Sequence, residues 1–434
     1  MNSDLTEKVY DFITDEGEQR ACEKISENAC KEVPGNFLKN VASGGFSKLA
    51  NQLFSTGTTL PWIFSALNVP SFLVGALVPI KDAGSLLPQL FVSAKIRSYS
   101  RRKWFWVIPS VFQGLCLLGM AWVVNSLEEF WAGFWILILL ALFSMASGIA
   151  SISFKDVLAK TVEKGKRGQL LAFRSSLGGV FTVLAGVFLF LQQEGKSEDV
   201  NYLFWLVIGG AACWMIAAAF FAGISEQPGA TEGGRTPIKE LKKGWQLWKT
   251  DANLRRFIMT RGLLMSVPLA QPFFVVIAQR ELGSAVKNLG FLILAAGIGA
   301  VISSPFWGRF ADRSSRKMMQ TVSLLAVGSI LLMFSFPFWS ENFQSIYSFG
   351  FILLLHVMIY GGARLSRKTY LVDFAPEKER PLYVSLSNTM IGVFTLIAAV
   401  LGGLAQWIGS DGMLLFFAGL LLVAAWMSTR LREV

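Results

Sequence analysis

Between Val78 and Gly84 the chain reads Val-Pro-Ile-Lys-Asp-Ala-Gly, a proline followed by a base and an acid inside an otherwise apolar run. If 70–91 crosses a bilayer, Lys81 lies about 16 Å deep at ~1.5 Å per residue, close to the midplane. Charges there cost several kcal/mol against lipid, so Lys81 and Asp82 must face the protein interior or a wet cavity. The chemistry they offer is recognition of a charged or polar solute by Lys81 and proton exchange at Asp82; an internal structural ion pair is the alternative. Adjacent helical residues point about 100° apart, so each can serve a different partner. Pro79 removes one backbone donor and frees an upstream carbonyl, which favours a kink at this point.

Other polar residues in apolar runs form a graded set. Arg174 sits about five residues into its span, positioned either to line a cavity or to snorkel. Lys48 and Arg261 begin their spans, where gating or snorkelling competes with solute contact. Asn51, Gln52, Gln271 (between Pro268 and Pro272) and Asn388 can donate and accept hydrogen bonds in a cavity or between helices. His356, the only histidine, is a second candidate for proton coupling, with a buried helix contact as the alternative. Lys81 and Arg174 against Asp82, with Lys48 and Arg261 near the entrance, bias such a cavity toward an anionic solute.

The elements that must position these residues follow from composition. Of 434 residues 53% are hydrophobic and 16% charged, and apolar runs of about twenty residues recur to the end, the pattern of a multispanning all-α membrane protein. The 36 Phe and 14 Trp suit lipid-facing surfaces and interfacial belts. A formal charge of +11 does not mark a nucleic-acid binder, because the bases occupy short connections between apolar runs. The four cysteines lack zinc spacing, no nucleophile motif or metal constellation stands out, and neither an enzyme nor a cofactor is implied.

Twelve spans are predicted: 45–66, 70–91, 104–124, 131–152, 169–192 and 202–223, then 257–279, 288–308, 318–338, 345–363, 382–404 and 412–429. This divides the chain into a polar arm over 1–40, closed by Pro34-Gly35, a six-helix bundle over 41–223, a linker over 224–256 and a second bundle over 257–434. Connections 95–103, 155–167, 309–317 and 364–380 together hold 19 Lys and Arg, whereas the opposite side has Lys196, Arg280 and Lys287. Both termini and the linker are therefore expected in the cytoplasm. An internal repeat supports the division: Arg167-Gly168-Gln169-Leu170-Leu171 with Gly179-Val180-Phe181 recurs 213 residues later as Arg380-Pro381-Leu382-Tyr383-Val384 with Gly392-Val393-Phe394.

Gly308, Asp312, Arg313, Arg316 and Lys317 fall in a pattern that resembles the signature between helices 8 and 9 of the major facilitator superfamily, with Ser315 in place of its usual glycine. The first-half copy keeps Arg101 and Arg102 but has Ser93 at the glycine position and Arg97 at that of the acid. The resemblance covers about 45–430. It implies two pseudo-symmetric six-helix bundles working by alternating access as a monomer in the bacterial inner membrane. It also implies a cytoplasmic latch formed by the signature residues, with anchoring of a loop at lipid headgroups as the alternative; Arg101, Arg102 and, from their place at the starts of their spans, Lys48 and Arg261 are the further gating candidates. Span 131–152 lacks the arginine of many drug/proton exporters of the family, and 169–192 lacks their proline. The expectation is a secondary transporter of a small polar or anionic solute, coupled to protons in symport; the alternatives are an exporter of amphipathic or metal-chelating compounds, or a non-transporting membrane sensor or assembly factor on the same fold.

Overall fold

The computed structural model describes residues 3–14, 27–163, 166–191, 201–229, 231, 237–283, 285–311, 314–376 and 379–433. Every regular element among them is helical. The arm contributes α1 (Ser3–Thr14) and the start of α2 (Glu27–Leu53). Contrary to the expectation from Pro34-Gly35, α2 runs straight through both residues. Tertiary contacts hold it in helix there. Val33 and Phe37 join Tyr10, Leu158, Val162 and Leu170 in a small apolar core, with Tyr10 edge-on to Phe37 at 5.2 Å. The Asn36 amide also exchanges two hydrogen bonds with the backbone of Ser225, at 2.8 and 3.0 Å.

The first predicted span is broken into the end of α2 and α3 (Thr59–Ala66). Hydroxyls in the Ser-Thr-Gly-Thr-Thr sequence compete for backbone groups: Ser55 Oγ accepts from Gly57 N–H, and Thr59 Oγ1 donates to the Gln52 carbonyl at 3.2 Å. The Gln271 amide packs against Gly57, lying 2.6 Å from where a Cβ would stand, so a side chain there would have to displace it. The seventh predicted span is likewise split, into α10 (Ala252–Leu263) and α11 (Ser266–Leu282). Pro268, which lacks an N–H, stands in the first turn after that break. Discontinuous helices at matching places in a repeat expose backbone polar groups where a solute can use them.

The remaining helices are α4 (Ser71–Arg97), α5 (Trp104–Ser126), α6 (Glu129–Thr161), α7 (Arg167–Leu191), α8 (Asn201–Ala222), α9 (Pro237–Thr250), α12 (Val286–Ala311), α13 (Ser315–Ser335), α14 (Ile346–Phe374), α15 (Arg380–Leu401) and α16 (Ala405–Thr429). Linker helix α9 was not expected from the sequence. The ends of α6 and α14 overrun their predicted spans by three turns or so, carrying basic residues assigned to connections onto helices.

Nine stretches among the described residues are long and apolar enough to cross a membrane, and one, Leu382–Thr429, takes in both α15 and α16. The spans predicted at 45–66 and 70–91 fall on α2–α3 and α4, whose internal charges, prolines and polar residues keep them outside those nine. Trp122, Trp131, Trp205, Phe338 and Trp407 are exposed, as expected of side chains that meet lipid.

Before the linker, α4 packs on α6, α5 on α6 and α8, and α2 on α7 and α8; after it, α12 packs on α14, α13 on α14 and α16, and α11 on α16. The two sets meet where α7 runs along α12, α4 along α15, and α3 and α4 against α11. Away from the chain termini this seam is tight. A Cβ on Gly75 of α4 would lie 2.8 Å from the Gly402 Cα just beyond α15, and one on Gly290 of α12 would lie 2.5 Å from the Phe190 nitrogen of α7.

Candidate functional site

Lys81 stands ten residues into α4, about 15 Å along its axis. Lys81 and Asp82 are half-buried, and neither side chain forms a hydrogen bond or ion pair with another described residue. Asp82 lies within electrostatic reach of Arg367 on α14, its neighbour Lys81 and Arg261 on α10. An acid from one helix set therefore faces bases from the other. Tyr360 of α14 shares this space, within reach of Asp82, Arg367 and Arg364.

The entrance bases are held in matching ways. Lys48 Nζ donates to the Ser175 carbonyl at 3.0 Å and to its hydroxyl at 2.9 Å, tying α2 to α7. Arg261 Nη1 donates to Ser387 Oγ at 2.6 Å and Nη2 to Asn388 Oδ1 at 2.9 Å, tying α10 to α15. Arg261 follows Lys48 by 213 residues and Asn388 follows Ser175 by the same 213, the shift of the sequence repeat. Arg261 Nε is buried without a hydrogen-bond partner among the described residues.

Other predicted site residues are engaged elsewhere. Arg174 Nη1 donates to the Asn40 carbonyl at 2.9 Å and to its side-chain oxygen, and its guanidinium stacks 4.4 Å from the Phe154 ring, so it clamps α7 to α2 and α6. His356 is fully buried: Nε2–H donates to the Val267 carbonyl at 2.9 Å, Nδ1 pairs with Ser329 Oγ at 2.9 Å, and the ring lies 4.5 Å from that of Phe274. It braces the start of α11 against α13. Asn51 donates to the Ser47 carbonyl of its own helix at 2.8 Å, and Gln271 fills the space beside Gly57. The Gln52 carbonyl receives Thr59 at the α2–α3 break.

A family model described as Major Facilitator Superfamily matches residues 257–434. An uncharacterized protein of Mycobacterium tuberculosis is 23% identical over 387 residues, 85% of this chain and 72% of that one. The Staphyloferrin B transporter of Staphylococcus aureus is 23% identical over 176 residues, 40% of each chain. Among solved structures, the xylose transporter XylE from E. coli in a partially occluded inward open conformation superposes with a TM-score of 0.65 at 12% identity, covering 93% of this chain and 98% of that one. The nucleoside transporter NupG gives 0.64 at 14% identity, covering 91% and 98%. The chain has the major facilitator fold.

Within that fold, the predicted latch falls partly outside the described residues: Asp312 and Arg313 lie there, as do the side chains of Ser93 and Arg97. Gly308 is near the end of α12, with open space where a side chain would stand. Arg316 Nη2 pairs with Glu433 at 2.8 Å, and the Lys317 N–H is capped by Ser314 Oγ at 3.2 Å. Arg101 is exposed, whereas Arg102 pairs with Asp156 of α6 at 3.0 Å. Arg102 thus pairs with an acid before the linker and Arg316 with one after it, each on its own side.

Sequence reading missed three groups. Glu226, after α8, is buried and accepts the N–H groups of Arg102 at 2.8 Å and Lys103 at 2.7 Å together with Lys160 Nζ at 2.9 Å. Those backbone donors open α5, where a carboxylate is favoured by the helix dipole. Burial pushes the Lys103 ammonium below its ordinary pKa, an effect that Glu226 opposes. Tyr360 passed as one more aromatic in an apolar span. Arg364, Arg367 and Lys368 were assigned to a connection but ride on α14. The signal was available: no helix breaker lies between Gly362 and Pro376, so the helix had no reason to stop at 363.

Proposed function

We propose that this protein is a secondary transporter of a small polar or anionic solute, working by alternating access between two six-helix halves in a bacterial inner membrane, with both termini cytoplasmic. The observation that carries the reading is the meeting of Asp82 and Lys81, near the middle of α4 in the first half, with Arg261 and Arg367 from the second. A charged contact across the seam has to change when the halves rock. The tight Gly75–Gly402 and Gly290–Phe190 approaches close the seam at its far end, which supports an inward-facing state, and the fold and its similarity to named transporters add weight.

In this proposal the coupling ion is a proton and Asp82 carries it. A second negative charge arriving beside an existing carboxylate favours proton uptake by the pair, so an anionic solute brings a proton with it. His356, with both ring nitrogens engaged, serves to hold α11 in place. Purified protein is to be screened by thermal shift against a metabolite extract, and hits tested for uptake into proteoliposomes. Asp82→Asn is expected to abolish solute-driven proton movement while solute binding persists; unchanged uptake with unchanged proton flux would sink the coupling role. A second reading, export of a metal-chelating compound, is favoured by the partial likeness to the Staphyloferrin B transporter, and uptake under opposite proton gradients separates the two directions.

A further inference from the structure

Seven bases gather near one carboxylate in the cleft between the halves. Beyond the Arg261, Arg367 and Lys81 group at Asp82, Lys48 lies within electrostatic reach of Arg364, and Lys368 within reach of Arg364, Arg367, Lys155 and Arg261. On α14, Tyr360, Arg364 and Lys368 follow at four-residue steps and so share one face, with Arg367 beside them. The Arg364 guanidinium lies 5.9 Å from the Tyr360 ring. Because Tyr360 adjoins Asp82, this row descends from Asp82 toward the end of the molecule that carries the termini.

These bases are poorly satisfied by the protein itself. Arg261 keeps a buried Nε without a hydrogen-bond partner among the described residues. Arg367 Nη1 donates to the thioether of Met265 at 3.1 Å, a weak acceptor for a guanidinium. The side chains of Lys81, Arg364 and Lys368 form no hydrogen bond or ion pair with another described residue. Arg364 and Lys368 are exposed although Arg364 lies ten residues short of the end of its helix, so they open onto the cleft. Among the described residues one carboxylate faces this group, too little to neutralise it, and negative charge brought by a solute would relieve the mutual repulsion of the bases.

We propose that the solute carries at least two oxyanion groups, carboxylate or phosphate, one held by Arg261 and Arg367 beside Lys81 and the other by Arg364 and Lys368 with Lys48. Arginine forks suit such groups, since their paired donors match carboxylate and phosphate oxygens. Along α14, Arg367 of the first station stands between Arg364 and Lys368 of the second, so the two stations lie side by side on one turn of the helix, close enough for a short di- or tricarboxylic acid or a sugar phosphate bearing a carboxylate to reach both. The inference rests on reading this cleft as the solute site.

The test is isothermal titration of the purified full chain in detergent at low salt with acetate, succinate, citrate, glucose 6-phosphate and glucose. Citrate, succinate or glucose 6-phosphate is expected to bind, acetate and glucose at least about tenfold more weakly, and binding of the responder to weaken as salt rises. A response to succinate and citrate identifies carboxylates as the chemistry, and one to glucose 6-phosphate identifies phosphate. The double variant Arg364→Gln/Lys368→Gln is expected to lose about tenfold or more in affinity for the responder. Arg364→Lys/Lys368→Arg, which keeps both charges and one fork, is expected to bind more tightly than the Gln double variant, and an unchanged melting temperature in the Gln double variant guards against a folding defect. Equal binding of acetate or glucose, binding by none of the polyanions, or full affinity in a monodisperse Gln double variant overturns the proposal. Proteoliposome uptake separates this from the transporter reading: a polyanion that binds without being moved refutes transport alone, whereas uptake of glucose without polyanion binding refutes the present inference alone.

Discussion

Replacing Glu226 with Gln is predicted to destabilise the first half of the molecule by about 2–4 kcal/mol. The figure follows from the contacts. The carboxylate oxygens accept the Arg102 N–H at 3.0 and 2.8 Å, the Lys103 N–H at 2.7 Å and Lys160 Nζ at 2.9 Å, and the side chain is fully buried. The amide of Gln keeps the shape but offers one accepting oxygen, so either the α5 backbone donors or Lys160 face an NH2 group. Each lost bond to a charged acceptor is worth about 1.5–3 kcal/mol, partly offset because a neutral amide costs less to bury. Unfolding of purified protein followed by intrinsic tryptophan fluorescence should show the melting temperature falling by roughly 4–12 °C. Lys160→Met alone should cost less, because the backbone donors remain, and the double variant should reveal a coupling of about 1–3 kcal/mol. A shift for Glu226→Gln smaller than about 1 °C would refute the assignment of Glu226 as the clasp between the end of α8 and the start of α5.

Three further outcomes follow. Gly75→Val should clash with Gly402 and prevent the far seam from closing, so that a thiol-reactive probe at a cysteine placed in the cleft reacts faster from the far side; unchanged labelling would show that the seam tolerates a side chain. His356→Leu should lower the melting temperature through loss of the bond to Val267, about 1–3 kcal/mol, while leaving the midpoint of any pH–uptake profile in place; a moved midpoint would return His356 to the coupling mechanism. Asn388→Leu should leave Arg261 Nη2 buried and unpaired and cost more stability than Ser175→Ala, whose partner Lys48 retains the Ser175 carbonyl; equal losses would show that the two joints are energetically alike.

Helix positions were legible because apolar runs of span length have few alternatives. Lys81 and Asp82 were legible for the opposite reason, since adjacent opposite charges in such a run stand out. What misled was polarity near helix ends. Arg364, Arg367 and Lys368 were read as connection because charges were taken to mark the membrane surface, yet α14 continues to Phe374 and turns them toward the cleft. Pro34 misled in the same direction: local propensity argued for a stop, but Val33, Phe37 and Asn36 find partners only if the helix continues. The roles of Arg174 and His356 depend on which neighbour lies within 3 Å, which no linear pattern states. The Lys48–Ser175 and Arg261–Asn388 correspondence was legible in the sequence, because the 213-residue repeat relates the charged residues as well as the apolar ones.

That correspondence also differs in kind between its two copies. In one, a flexible ammonium meets a single serine; in the other, a planar guanidinium grips two neighbouring side chains. A point contact leaves rotational play, whereas a fork does not. The two corresponding joints are therefore expected to differ in stiffness, the earlier lobe swinging while the later one serves as its anvil. Spin-label distance distributions should then be broader between α2 and α7 than between α10 and α15.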